Sequence, residues 1–239
     1  MNCINYIKQI NFQNFELFYR GDISLLDKPK IAIVGTRRPS KYSKEITAKL
    51  SKLLSKKYVI VSGGAMGIDA IAHKNAISTI MVSPAGIDII YPKINKSLIE
   101  NITQNHLLIT EYEKGYMPRA YNFIQRNRIV VGISEFVIII EADIDSGSMR
   151  SFEIAKKLGK KVYVIPHRIG DSKGTNYLAN TNQADVIWDI DEFVSKLGIS
   201  DKSGEILDYN EAFKIYGDKL FEMELDSKIE VKNGKVYFI

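Results

Sequence analysis

Short apolar runs alternate with longer amphipathic segments along most of the chain. The runs are three to five residues long and rich in β-branched side chains, which is typical of buried strands. They are Ile31–Val34, Tyr58–Val61, Thr79–Val82, Leu107–Ile109, Phe136–Ile140 and Lys161–Ile165. Between them, segments such as Ser43–Lys56 place apolar residues on one helical face. This alternation predicts an α/β fold, an extended, doubly wound, mostly parallel Rossmann-like sheet covered by helices on both faces.

The pattern changes near the C-terminus. Polar residues and glycines at 198–204 predict a linker, and beyond it we expect a helix over Glu211–Met223 and a hairpin over Lys228–Phe238. The hairpin's centre carries Asn233-Gly234, the signal of a tight two-residue turn. The sequence therefore predicts a lead-in segment at 1–29, a Rossmann-like domain at 30–198 and a small winged-helix-like α+β domain at 205–239.

Several classes of protein are disfavoured by composition. Among 239 residues Cys3 is the only cysteine, so no internal disulfide or thiolate metal cluster is expected. His73, His106 and His167 lack metal-ligand spacing. The longest aliphatic or aromatic run, Phe136–Ile140, is far shorter than the roughly 20 residues of a membrane span, and the first residues do not resemble a secretion signal. We expect a cytoplasmic protein with no metal, cofactor or membrane contact.

The net charge of +5 is unevenly distributed. Nine basic residues and one acid lie between Lys30 and Ile60, which indicates a surface for a polyanion. From Asp201 to Ile239 there are nine acids and six lysines. We therefore expect nucleic acid to contact the first part of the chain and not its C-terminal part.

Three turns with small residues follow predicted strands: Gly35-Thr36-Arg37, Ser62–Gly67 and Ser146-Gly147-Ser148. Because ligands bind at the carboxyl ends of parallel strands, and glycines let backbone N–H groups approach phosphates, the turns together predict a phosphate cradle. Arg37 and Arg38 would add bidentate phosphate contacts, or else form a solvated basic turn. No GxGxxG or GxxxxGK[ST] pattern is present, which disfavours dinucleotide binding and ATP hydrolysis.

The segment Met117–Val131 combines three arginines and two aromatic residues with no acid. Arginines neutralise phosphates while aromatic rings stack on unpaired bases, so this composition favours single-stranded nucleic acid. On one helix, Arg119, Phe123 and Arg126 would lie near a common face. A core position for Phe123 and a carboxylate partner for Arg128 are the alternatives.

Four ordered motifs resemble the DprA/Smf family of bacterial DNA-processing proteins, over roughly Phe15–Leu197. They are the GTR turn Gly35-Thr36-Arg37, the stretch Ser62–Asp69 followed by Ala72-His73, Asp88 with Tyr91-Pro92, and Asn122-Phe123 with Arg126–Ile129 followed by Glu141-Ala142 and Ser146-Gly147-Ser148. The resemblance implies an extended Rossmann fold that forms a homodimer, binds single-stranded DNA and helps load the RecA recombinase during natural transformation. No bond would be broken.

The same resemblance assigns roles to individual residues. It implies phosphate contacts for Arg37, Arg126 and Arg119, and a base contact for Phe123. Asn127 and Arg128 are expected in the pocket, either on DNA or bracing it. The full set of expected DNA-binding residues is Arg37, Arg38, Gly63, Gly64, Arg119, Asn122, Phe123, Arg126, Asn127, Arg128, Ser146, Gly147 and Ser148.

The chain departs from the family pattern in a few places, and two other functions compete. Met66 stands where many members have arginine, which removes one expected phosphate contact, and Ser151 and His167 also differ. A nucleotide phosphoribohydrolase of the LOG type would share a related core, but the sequence lacks the PGGxGTxxE signature that such enzymes need. An adaptor between proteins, using the acidic C-terminal part, is the third possibility.

Overall fold

The computed structural model describes residues 8–12, 15–199, 206–226 and 228–238, and it divides into two compact units at residue 190. The first unit contains an α/β sheet, and the second contains a small α+β fold. Residues 200–204 of the predicted linker lie outside the described residues. The predicted domain boundaries at 29, 198 and 205 stay predictions.

The sheet of the first unit contains nine strands within the described residues. These are β1 Lys8–Phe12, β2 Phe15–Gly21, β3 Lys30–Val34, β4 Val59–Ser62, β5 Thr79–Val82, β6 Leu107–Thr110, β7 Phe136–Ile139, β8 Lys161–Val164 and β9 Asp185–Val186. Their order is β1-β2-β6-β5-β4-β3-β7-β8-β9. The pairs β1/β2 and β2/β6 are antiparallel and the other pairs are parallel. The predicted mostly parallel, Rossmann-like sheet is confirmed, and all six predicted strands are present.

The apolar runs form strands because both faces of the central sheet are covered. Every residue of β3, β4, β5, β6 and β7 is buried. Strands covered on both faces contain continuous apolar sequence instead of the two-residue alternation of half-exposed strands. The two antiparallel strands β1 and β2 are not among the six predicted runs. In β2, Glu16 and Arg20 interrupt the apolar residues and only Leu17 is buried.

Seven α-helices accompany this sheet in the described residues of the first unit. They are α1 Lys41–Leu54, α2 Ile68–Asn75, α3 Lys96–Asn105, α4 Ala120–Gln125, α5 Asn127–Gly132, α6 Gly147–Lys157 and α7 Lys173–Asn180. A further helix, α8 Ile190–Lys196, starts at the last residue of the first unit and otherwise belongs to the second. No helix in the described ranges is both long and apolar enough to cross a membrane.

The chain reverses its direction across the sheet between β3 and β7. From β3 it adds β4, β5 and β6 on one side, whereas β7, β8 and β9 lie on the other side. In open α/β sheets such a switch point leaves a crevice outside the carboxyl ends of the strands, where ligands bind. At this edge α1 begins after the Ser40 N-cap and α6 begins after the Ser146 N-cap.

The second unit has its own small core. Its elements besides α8 are β10 Ile206–Asp208, α9 Tyr209–Tyr216, α10 Lys219–Leu225, β11 Ile229–Lys232 and β12 Lys235–Phe238. The three strands form an antiparallel sheet in the order β10-β12-β11. Asn233 and Gly234 have φ of 51° and 73°, the conformation that the Asn-Gly hairpin signal predicts.

One helix prediction in this unit is wrong in its extent. The expected single helix over Glu211–Met223 is two helices, α9 and α10, which are separated at Gly217. Gly217 has φ of 56°, a left-handed backbone conformation that ends a helix and that glycine adopts without steric cost.

Candidate nucleic-acid interface

A groove lies at the switch point between β3 and β7. Its volume is about 620 Å³, and it is lined by the turns after both strands, by α4 and α5, and by the first turn of α6. We call this feature the groove. Eight of the thirteen expected DNA-binding residues line it: Arg37, Arg38, Phe123, Arg126, Asn127, Ser146, Gly147 and Ser148. These assignments to DNA remain predictions.

The first two glycine turns are packed against each other below the groove. The Ile68 N–H donates to the Thr36 carbonyl (3.2 Å), and the Thr36 N–H donates to the Glu141 carbonyl (2.8 Å). A side chain at Gly67, where φ is 80°, would overlap the backbone of Thr36 and Arg37. The glycine is therefore required by close packing of the two turns, which fixes Arg37 at the mouth of the groove.

The third turn differs because its glycine has open space around it. Gly147 is the first residue of α6, and a Cβ there would meet no atom within 4 Å. Its carbonyl accepts a hydrogen bond from Asn127 Nδ2 (3.2 Å). A helix N-terminus carries partial positive charge and unpaired N–H groups, so this uncovered turn can receive a phosphate.

Arg126 lies beneath the groove and is only 5% exposed. Its Nη2 donates to Asp69 Oδ2 at 3.4 Å, and its Nε has no partner among the described residues. Burial lowers the pKa of Arg126, while Asp69 acts in the opposite direction. A buried guanidinium with one long contact and an unused donor is incompletely compensated, so an anion in the groove would stabilise it.

Gly63 makes the space for this guanidinium. A Cβ at Gly63 would overlap the Nη1 and Cζ atoms of Arg126. Gly63 does not line the groove. In this structure Gly63 is required for the position of Arg126, and its assignment to DNA stays a prediction.

Arg37 and Phe123 form the exposed part of the groove. Arg37 is exposed, and its Cζ lies 5.1 Å from the centre of the half-buried Phe123 ring. Tyr91 contacts the same ring at 5.6 Å in an edge arrangement. Guanidinium and aromatic groups are thus held together at the opening, which suits a phosphate next to a base.

The other expected residues lie outside the groove lining. Gly64 has φ of 74° and packs on Met81. Asn122 is buried, and its Oδ1 accepts the Arg119 N–H (2.7 Å) at the start of α4. Arg128 forms an ion pair with Glu111, the carboxylate partner considered above as an alternative.

The expectation of one helix carrying Arg119, Phe123 and Arg126 is wrong. Arg119 precedes α4 with an extended backbone, and Arg126 lies between α4 and α5. Phe123 and Arg126 still share the groove, whereas Arg119 is exposed outside its lining.

Few basic residues of the segment between Lys30 and Ile60 reach the groove. Of its nine lysines and arginines, only Arg37 and Arg38 line the groove. Lys30 is buried, and its Nζ donates to the carbonyls of Leu26 and Lys28 (both 2.6 Å). Lys30 is the first residue of β3, and this position alone does not predict that its side chain is buried.

Two carboxylates support the groove from below, and neither is among the thirteen expected DNA-binding residues. Asp69 accepts hydrogen bonds from Arg126 and from the Ala65 N–H (3.2 Å). Glu141 Oε2 accepts from both the N–H and the hydroxyl of Ser40 (3.0 Å each). Both carboxylates lie inside the motifs that resemble the DprA/Smf family. Asp69 follows a glycine turn and Glu141 follows a buried strand, so the sequence pattern could have identified them as site residues.

His73 belongs to the same buried layer. It is 2% exposed, its Nδ1 lies 2.6 Å from Thr79 Oγ1, and its Nε2 has no partner in the described part of the chain. Burial lowers the pKa of His73 to about 3, and the charges of Arg126 and His106 act in the same direction. The ring is therefore neutral at physiological pH. No group of three or more His, Cys, Asp or Glu in the described ranges has the arrangement of a metal site.

Comparison with known proteins decides the family. The sequence model of the family described as DNA recombination-mediator protein A matches residues 4–198. The chain belongs to this family. It is 42% identical over 168 residues to DNA processing protein DprA of Streptococcus pneumoniae, which covers 68% of this chain and 60% of that protein. It is 35% identical over 199 residues to DprA of Bacillus subtilis, covering 80% of this chain and 67% of that protein.

Two solved structures of family members match the fold. One is DNA processing protein A of Helicobacter pylori, described for its single-stranded DNA binding mode, with a TM-score of 0.75 and 48% identity over 76% of this chain and 86% of that chain. The other is the X-ray structure of DprA of Streptococcus pneumoniae, with a TM-score of 0.72 and 37% identity over 78% of this chain and 67% of that chain. The chain spans about 60% of the curated pneumococcal relative's length. The predicted family resemblance is confirmed.

Proposed function

We propose that the chain binds single-stranded DNA in the groove. The observation that carries this proposal is the convergence of Arg37, Arg126, Phe123 and the open turn at Gly147 on one crevice. Guanidinium groups and a helix N-terminus bind phosphates, and an aromatic ring stacks on any unpaired base. The Helicobacter pylori relative, whose single-stranded DNA binding mode has been described, supports the same ligand class.

Binding to labelled oligothymidylate, compared with a duplex of equal length over a salt series, tests this function. We expect tighter binding of the single strand, a steep loss of affinity with salt and little sequence preference. Equal affinity for the duplex, or a strong preference for one sequence, would contradict the proposal.

The cellular role that we propose is protection of incoming single strands and help in loading the RecA recombinase in natural transformation. The description of the family as a recombination mediator supports a recombinase partner. A homodimer in the cytoplasm remains the expected form of the protein and rests on the family resemblance. Co-purification with RecA, and the mass of the protein in solution, test these two points separately.

We further propose that the groove breaks no bond. The competing LOG-type phosphoribohydrolase reaction needs a carboxylate free to act on a glycosidic bond. Of the carboxylates that line the groove, Glu141 accepts hydrogen bonds from Ser40 and Asp69 is paired with Arg126. Asp143 is exposed, but the chain lacks the PGGxGTxxE signature that would place a catalytic glutamate. Incubation with nucleoside monophosphates discriminates between the two functions, because released free base would favour the enzyme.

A further inference from the structure

Three tyrosines lie beside the groove on the chain between β6 and the end of α4. The rings of Tyr112 and Tyr116 are stacked, with centroids 4.5 Å apart and planes 13° apart. The hydroxyls of Tyr116 and Tyr121 are 2.9 Å apart, and the Tyr112 hydroxyl donates to Gln125 Oε1 (3.2 Å). We call these three residues the tyrosine platform. Their mutual contacts hold the rings in place before any ligand arrives.

The tyrosine platform is continuous with the groove wall. Ala120, Phe123 and Ile124 of α4 line the groove, and Tyr121 does not. At 3.6 residues per turn, Tyr121 lies about 60° around the helix from Ile124. Ile124 and Tyr121 are both about half exposed, at 50% and 48%. A chain that leaves the groove over Ile124 therefore meets Tyr121 next.

The positively charged Arg119 lies near the tyrosine platform. Arg119 is exposed and directly precedes α4. The pKa of Tyr116 is lowered, first by its hydrogen bonds with Tyr121 and Asn122 and also by the charge of Arg119. The guanidinium is therefore near the phenols. The exposed neighbours Glu113 and Lys114 offset each other in charge.

A strand longer than a few nucleotides must extend out of the groove, because the groove is small. Its volume of about 620 Å³ is that of a pocket for one small organic ligand, typically about 300–1,000 Å³, so it holds only a short stretch of DNA. On the α6 side the exposed carboxylate of Asp143 also lines the groove, so a strand that continues past the turn at Gly147 on this side meets a negative charge. The α4 side offers the exposed Tyr121 ring and Arg119 instead.

From this geometry we propose that the tyrosine platform is a second base-stacking subsite, which binds the strand where it leaves the groove, with Arg119 on its phosphates. The inference rests on the proposed function of the groove. In this proposal Arg119 contacts the DNA outside the groove lining. Tyrosine suits this role because its ring is rigid and its hydroxyl tolerates water.

The test measures affinity against strand length, with oligothymidylates from about 4 to about 16 nucleotides, the range of site sizes in single-strand binding folds. For Tyr121→Ala we expect the longest strand to lose about fivefold or more in affinity and the shortest less than twofold. Tyr121→Phe keeps the ring and removes only the hydroxyl contact with Tyr116, so it should lose clearly less affinity for the longest strand than Tyr121→Ala. Tyr177→Ala removes an equally exposed tyrosine on α7 and is the matched control.

A second measurement leaves the protein unchanged. A strand of about four thymidines extended by abasic nucleotides removes the bases but keeps the phosphates. We expect the wild type to bind this abasic strand more weakly than the full oligothymidylate. The fold-loss in affinity should equal the loss that Tyr121→Ala causes, in at least one of the two strand polarities.

The subsite would be overturned by a Tyr121→Ala variant that keeps the whole gain of affinity with length, or by abasic extensions that bind as tightly as thymidine. A Tyr121→Ala variant that changes only the oligomeric state would assign the tyrosine platform to a second copy of the chain, and would also overturn it. Failure of the wild type to bind even the shortest strand would instead contradict the proposed function of the groove.

Discussion

The groove and the second unit present opposite kinds of surface. The groove combines Arg37 and Arg126 with a helix N-terminus, and buried polar groups support it from below. The second unit has a small apolar core, exposed apolar residues such as Phe221 and Leu225, and more acids than lysines in its sequence. We therefore expect anions to bind in the groove, where guanidiniums and a helix N-terminus converge, and not at the second unit with its excess of acids.

The largest expected effect comes from a matched pair of glycine substitutions. Gly63→Ala forces the Arg126 guanidinium out of its place and leaves the buried Asp69 carboxylate with the Ala65 N–H but no cation, so we expect the free energy of unfolding to fall by about 3 kcal/mol and strand affinity to fall at least tenfold. In Gly147→Ala the added methyl group meets no neighbouring atom, so stability should stay nearly unchanged and only DNA binding should weaken.

Chemical denaturation together with oligothymidylate titration separates these two effects. If Gly63→Ala were as stable as the wild type and bound DNA equally well, the buried Arg126 would have no role in the groove. Unchanged binding by Gly147→Ala would remove the open turn from the contact surface.

Acidification tests the buried layer beneath the groove. Folding lowers the pKa of His73 from about 6.5 to about 3, so the unfolded chain binds more protons between these values. The free energy of unfolding should therefore fall as pH decreases through this window, by about 2 kcal/mol at pH 5 relative to pH 7. The measurement is urea denaturation over a pH series.

His73→Gln is the control for this slope. It should flatten the dependence on pH, and a smaller slope should remain because burial also lowers the pKa of His106. Identical slopes for the wild type and His73→Gln would show that the ring does not titrate as its surroundings imply.

Phe123→Ala removes the aromatic ring at the mouth of the groove. Loss of one stacked base costs about 1–3 kcal/mol, so we expect roughly tenfold weaker binding of single strands with little change in stability. Fluorescence anisotropy with labelled oligothymidylate measures the change. Tyr177→Ala, exposed on α7, should bind like the wild type, and equal behaviour of the two variants would place the bases elsewhere.

Arg37→Ala should lower the dependence of log affinity on log salt by about 0.7 for each phosphate that the variant no longer neutralises. The exposed Lys44 on α1 lies outside the groove lining, so Lys44→Ala is the matched control and should keep the wild-type slope. Affinity measured at several salt concentrations gives both slopes. An unchanged slope for Arg37→Ala would show that this guanidinium does not bind a phosphate.

The smallest effect is expected from the acidic C-terminal part. Deletion of residues 201–239 should change affinity for single strands less than about twofold, because the groove is built entirely within the first unit. A large loss of affinity by a deletion variant that stays folded would contradict the comparison between the two regions.

The sequence predicted the central sheet well because burial on both faces leaves a plain signal, as in β3 and β7. It also placed the glycine turns on one edge, because parallel strands end on the same side. It did not predict the partners inside the site. That Gly63 makes room for Arg126, and that Asn122 caps α4 instead of lining the groove, depends on the folded geometry around these residues and not on their local sequence pattern.

Hydrogen exchange with and without oligothymidylate shows where the strand binds, because it reports on the groove and the second unit in one experiment. We expect protection on binding at the turn carrying Arg37, on α4 and at the start of α6, with no change in residues 206–238. Protection confined to the second unit, or none in the groove despite binding, would contradict this expectation.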